Sequence, residues 1–97
     1  MKYLLIVFVF AVSVFAKGEG KALYHSCKFC HGLKAEKIYV NTIPAIKNMD
    51  YKILETKLKL YKKGELDIYG FGMIMKMQMK NMPDEKIPAL VKYIKSL

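Results

Sequence analysis

The stretch Cys27-Lys28-Phe29-Cys30-His31 decides how the rest of this chain is read. A pair of Cys three residues apart can close a simple disulfide if the chain is exported. It also matches the C-x-x-C of a thioredoxin-like redox site, but that motif expects a βαβ neighbourhood, and no strand pair is evident here. A zinc site needs more ligands, and outside the motif there is one other His, His25, and no other Cys. The His directly after the second Cys separates these readings, because C-x-x-C-H is the attachment signature of c-type haem. The spacing has a physical reason. Thiols three residues apart on one helical turn reach the two vinyl positions on one porphyrin edge, and His31 then projects its imidazole to the iron from the proximal side.

Working outward, the N-terminus reads as an export signal over residues 1–16. Lys2 supplies the positive start, Leu4 to Val12 is unbroken apolar sequence, and Val14 and Ala16 are small residues at the −3 and −1 positions of a cleavage site. The apolar run is shorter than the roughly 20 residues that a bilayer-spanning helix needs. Cleavage after Ala16 is therefore expected, leaving a periplasmic domain over 17–97 that does not span the membrane. An uncleaved signal would leave it membrane-anchored.

The whole chain has 97 residues, which allows one small domain and excludes doubly wound nucleotide folds and barrel enzymes. With 54% hydrophobic residues it is not a disordered chain. A core this small is only marginally stabilising, so an additional staple is expected. Covalent haem supplies one and brings apolar surface of its own.

Along 17–97 the pattern is helical. Leu23, Tyr24 and Cys27 share one side of a short helix over about 21–29, ended by Gly32. Residues 33–49 read as irregular around Pro44. Asp50 is a good N-cap for an amphipathic helix in which Tyr51, Leu54, Leu58 and Tyr61 form the apolar face, with Lys52, Lys57, Lys59, Lys62 and Lys63 largely elsewhere, and Gly64 ends it. Residues 65–72 read as loop. Ile87, Leu90, Val91 and Ile94 mark a last helix, with Pro88 tolerable only in its first turn. The fold class is all-α, three to four helices wrapped around one haem.

Five of the seven Met lie at 73, 75, 77, 79 and 82. Flexible core packing is one reading, and the alternation also suits a strand or a soft Cu(I) site. With haem iron requiring a second axial ligand or an open position, a thioether is the economical choice. His25 lies too close to His31 in the chain to reach the far face of the ring.

At this point the chain resembles the small bacterial class I cytochromes c, single-haem periplasmic electron carriers. The resemblance covers essentially all of 17–97. Gly20, Leu23-Tyr24 and Cys27 to Gly32 look like the family's first helix and haem motif. Ile43-Pro44-Ala45-Ile46 looks like its proximal loop, and Met75-Lys76-Met77-Gln78 followed by Pro83-Asp84-Glu85-Lys86-Ile87 looks like its distal segment. The resemblance implies covalent haem c through Cys27 and Cys30, with iron held by His31 and Met75. The Met75 assignment follows from Pro83 standing where the family has Ser, eight residues on. Counting forward from Tyr69-Gly70 points to Met77 instead, and Met73 and Met79 remain as further candidates. The resemblance also implies that the Pro44 carbonyl accepts from His31 Nδ1, that Ile46 packs on the proximal face, and that Gly20 and Tyr24 cross Leu90 and Tyr93. With Pro83 in place of the capping Ser, Asp84 is the residue left to cap the last helix.

The function implied is electron transfer by a monomer, not enzymatic turnover. Expected partners are acidic docking surfaces on a quinol–cytochrome c reductase or dehydrogenase and on a terminal oxidase or peroxidase. All 17 basic residues are Lys, against 8 acidic ones, and a positive field of this kind steers docking as well as aiding solubility. Lys28, Lys76 and Lys80 are the candidate docking ring. The Lys lie around helices rather than in one tract, which with export argues against nucleic acid. A subunit working only inside a larger redox complex is the alternative. A small-gas sensor would need a distal acid–base residue, where this chain offers Met.

Overall fold

The computed structural model describes residues 18–97, and the expected signal segment 1–16 lies outside the described residues. Among them the architecture is all-helical, with one isolated bridge between Tyr39 and Ile43 and no strands. The helices are α1 (described over 18–24), α2 (Lys28–His31), α3 (Tyr51–Lys63), α4 (Gly72–Met79) and α5 (Ile87–Ser96). Single 3-10 turns occupy Ile46–Asn48 and Asp84–Lys86.

The last helix is the spine of the core. Ile87, Leu90, Val91 and Ile94 recur at helical spacing and are each at most 1% exposed. Burying side chains of this size contributes about 1.5–3 kcal/mol each. Pro88 sits in the first turn of α5, where a missing N–H costs nothing, and its carbonyl accepts from the Tyr51 hydroxyl at 3.2 Å. That bond ties the start of α3 to the start of α5. Leu54 and Leu58 complete the packing from α3.

The ends of α3 follow their side chains. Asp50 Oδ2 accepts from Lys52 N at 3.2 Å, and Gly64 closes the helix at φ 76°, a left-handed conformation that favours glycine. The N-terminal region differs from the expected single helix over 21–29. The chain is already helical at residue 18, turns at 25–27 and re-forms as the one-turn α2. The glycine that would weaken an isolated helix is needed at position 20, where a Cβ would lie 2.7 Å from Tyr93 Cβ. This close approach lets α1 cross α5, with the Tyr24 and Tyr93 rings 5.8 Å apart.

Two further expectations change. Asp84 does not cap the last helix: no side chain caps either Asp84–Lys86 or α5, and Asp84 Oδ1 instead accepts from Lys62 Nζ at 2.7 Å. The cation on α3 outcompetes the backbone amides for that carboxylate. The Met-rich segment is a helix, so the strand reading of its alternation fails. Its start is set by Asp67 Oδ1, which accepts from Gly72 N at 2.9 Å, while a side chain at Gly72 would collide with the Leu66 carbonyl oxygen.

The α1–α5 crossing makes a direct prediction. Gly20→Ala should cost about 1–3 kcal/mol through overpacking against Tyr93, despite the better helix propensity of Ala. Gly18→Ala, with no atom within 4 Å of the added carbon, should be neutral or slightly stabilising. Paired thermal unfolding curves check the contrast.

Candidate functional site

A cavity of about 280 Å³ opens between the Cys-containing turn, the 39–49 segment, α3, α4 and α5. Its walls are built mostly from the apolar faces just described: Leu54 and Leu58 from α3, Leu90 and Ile94 from α5, Ile43 and Ile46 from the proximal segment. Tyr39 and Phe71 close one part of it as an edge-to-face pair, ring centroids 5.6 Å apart.

Cys27, Cys30 and His31 all line this cavity. Both thiols are free and half-buried. Burial pushes the Cys27 thiol up, opposed by a hydrogen bond with Ser26. Burial also lowers the His31 pKa, which favours the neutral imidazole that a metal ligand must be. His31 Nδ1 is buried and has no hydrogen-bond partner. The bond from this nitrogen to the Pro44 carbonyl, implied by the resemblance, is therefore not made here. The segment turns Ala45 and Ile46 inward and is pinned by Lys47 N donating to the Ala35 carbonyl at 3.0 Å. Pro44 stays exposed and outside the cavity wall. Ile46, by contrast, is buried and lines it.

The helical geometry of α4 separates Met75, the methionine favoured by the resemblance, from two of its three alternatives. A strand would place 73, 75, 77 and 79 on one face. The helix instead puts Met75 and Met79, at i and i+4, on the cavity wall. Met73 and Met77 are 72% and 68% exposed and do not line it. Met79 is 2% exposed and sits within the core, with Met75 half-buried against it.

Tyr24 fixes the haem-motif turn to α1. Its hydroxyl donates to the Gly32 carbonyl at 2.6 Å, one residue past His31. Burial, helped by nearby Cys27 and Glu36, pushes its pKa from 10.0 up to about 12. Gly32 itself turns the chain at φ 93°, a conformation that favours glycine.

An apolar cavity bordered by two free thiols and by an imidazole that burial keeps in its neutral form fits a covalently attached haem. The comparisons agree. The cytochrome c family model matches residues 18–97. The chain belongs to the cytochrome c family. It is similar to cytochrome c-553 of Helicobacter pylori strain J99, 36% identical over 77 residues covering 79% of this chain and 76% of that one. The corresponding protein of Helicobacter pylori strain 26695 is 36% identical over 91 residues, 94% and 90% of the two chains. Cytochrome c-553 of Nitratidesulfovibrio vulgaris is 32% identical over 105 residues, spanning all of both. No solved structure gives a significant match. This small monohaem class I cytochrome c is an electron carrier by family, and the family binds haem c covalently. Cys27 and Cys30 have the spacing for its two thioether links.

Several wall residues carry no signal of that role in the sequence, Tyr39, Tyr69 and Ile74 among them. Met79, one of the candidate ligands, is not separable from its neighbours by spacing. Lys57 was placed with the solvent-facing Lys, although it is three residues after Leu54 and four before Tyr61, a spacing that signals the cavity face. Phe71 lay in a stretch read as loop.

The Tyr24 contact yields a prediction. Tyr24→Phe should cost about 1 kcal/mol at neutral pH from the lost hydrogen bond. A folded pKa raised from 10.0 to about 12 favours folding fully below pH 10, and that contribution disappears as pH rises toward 12. Denaturant titrations across this range should show the wild type losing stability that the Phe variant, lacking the phenol, does not lose.

Proposed function

We propose that this cytochrome c is a periplasmic single-electron carrier whose haem iron is held by His31 and Met75. Bound haem supplies the iron that gains and loses one electron. The observation that carries the reading is that His31, on α2, and Met75, on α4, line one cavity from separate elements. A neutral imidazole and a thioether are a ligand pair suited to electron transfer, and the thioether raises the potential by favouring the reduced metal. The apolar side chains of α3 and α5 exclude water around it, which limits the solvent rearrangement that each transfer requires.

Residues 1–16 are the export signal in this reading, with Lys17 the first residue of the mature domain. Among the described residues no helix is long and apolar enough to cross a membrane. The partners are acidic surfaces of a membrane quinol–cytochrome c reductase or a dehydrogenase on one side, and of a terminal oxidase or peroxidase on the other. Lys28, whose ammonium stands 5.6 Å from the Phe29 ring centroid at the cavity rim, and exposed Lys80 present charge to such a surface. Lys76 lies over Gly64 at the end of α3, so it also serves the helix C-terminus, where a cation is favoured.

Ligation is tested by absorption and redox titration of holoprotein variants. Met75→Ala should abolish the weak far-red band of ferric iron bonded to thioether sulfur and lower the midpoint potential. Met73→Ala and Met77→Ala should leave both unchanged. Met79→Ala should keep the band while losing about 2–5 kcal/mol of stability to a core cavity. A band that survives in Met75→Ala and vanishes in Met79→Ala would move the ligand one turn along α4.

Docking is tested by salt. The rate of electron exchange with an acidic redox partner should fall as ionic strength rises, because steering by exposed charge is screened. A rate independent of salt would leave the Lys as solubilising groups alone.

A further inference from the structure

We propose that Lys57 holds one of the two haem carboxylates and thereby sets the pH range over which the potential of this cytochrome varies. The inference rests on the proposed seating of the haem in this cavity. Haem is apolar around most of its rim, and its two propionate side chains are its only carboxylates. They extend from a part of the ring other than the vinyl edge that Cys27 and Cys30 secure. A cavity with mostly apolar walls must therefore either leave those carboxylates in water or supply a charge for them.

Lys57 is the sole Lys on the cavity wall among the described residues. It lies on the inward stripe of α3, with Leu54 three residues before it, Leu58 next to it and Tyr61 four after it, all lining the same space. Lys57 is half-buried in this stripe and brings a cation to an otherwise mostly apolar wall. Of the other α3 cations, Lys59 pairs with Glu55 at 3.1 Å and Lys62 with Asp84 at 2.7 Å, while Lys52 and Lys63 are in no ion pair among the described residues and do not line the cavity. Among the described residues Lys57 is in no ion pair. Two hydroxyls flank the same region. Tyr61, one turn on from Lys57, and Tyr69 both line the cavity and stand close enough to influence one another. An ammonium with phenol donors beside it is a suitable carboxylate seat.

The electrostatic consequence has a definite sign. An ammonium beside a carboxyl group favours its ionised form and lowers its pKa. Ferric iron, with one more positive charge than ferrous, favours the same form. The potential therefore falls with rising pH only in the window where the carboxyl ionises, and Lys57 pushes that window toward acid. The remaining ionisable groups on the wall are Cys27, Cys30, His31, Tyr39, Tyr61 and Tyr69, with Asp67 near Tyr61. Attachment consumes the two thiols, the iron takes the imidazole, and burial pushes the Tyr61 phenol up, away from this range.

The test is spectroelectrochemical titration of holoprotein against pH for wild type, Lys57→Gln and Lys57→Arg. In Lys57→Gln the carboxyl should bind its proton about tenfold more tightly, moving the pH-dependent window up by about one unit. Lys57→Arg, which keeps the charge, should restore the wild-type profile. Superimposable profiles for all three, in proteins that retain the haem spectrum and the far-red band, would overturn this inference and leave the proposed function standing. Wild-type protein without attached haem would overturn the proposed function itself. If Lys57→Gln does not mature, wild-type holoprotein with isotope-labelled haem carboxyls provides the answer by NMR. One carboxyl should titrate in a distinctly more acid range than the other, and two carboxyls titrating together in the ordinary range would refute the assignment.

Discussion

The crossing of α1 over α5 holds the haem-motif turn in place. Gly20 lets the two backbones approach until only a hydrogen atom fits between position 20 and the Tyr93 side chain. Tyr24, one turn on, packs against the same Tyr93 ring and reaches past it to the Gly32 carbonyl. One buried phenol thus connects the last helix, the first helix and the residue after His31. Without that contact the one-turn α2, far too short to be stable alone, would have little to hold its thiols and imidazole at a common wall.

The cavity is the second consequence of the same arrangement. All four buried side chains of α5 belong to the core, and two of them, Leu90 and Ile94, also face the cavity. Both buried residues of α3, Leu54 and Leu58, line the cavity as well. A chain of this size has few apolar residues to spare, so a covalently attached apolar group is a structural component as much as a redox centre. The exposed ion pairs contribute little by comparison: Lys59–Glu55 and Lys86–Glu19 are surface contacts of a kind worth at most about 1 kcal/mol.

The distribution of methionine shows how a local pattern acquires meaning. Alternate Met residues would share one face of a strand, and on that geometry four thioethers would compete equally for a metal. In α4 the same residues split into an inward pair and an outward pair. The pairing with α3 and α5 then makes Met79 a core residue and leaves Met75 at the border of core and cavity. Lys57 tells the same story in reverse. A Lys among many Lys reads as surface charge until the orientation of α3 places it on the cavity wall.

What the sequence determined by itself is local and chemical. The C-x-x-C-H spacing specified the attachment chemistry, Asp50 and Gly64 bounded the middle helix, and the recurrence of Ile87, Leu90, Val91 and Ile94 marked the buried face of the last one; the crossing at Gly20 and Tyr24 was implied by the family resemblance. Each of these depends on neighbours within a turn or two, or on a residue type with one physical use. Which methionines face inward, where Asp84 finds its partner, why Pro44 stays outside and which Lys lines the cavity were decided only by tertiary structure. Those outcomes depend on how separate helices are rotated and on which of several competing groups arrives first within bonding distance, and no spacing along the chain encodes that.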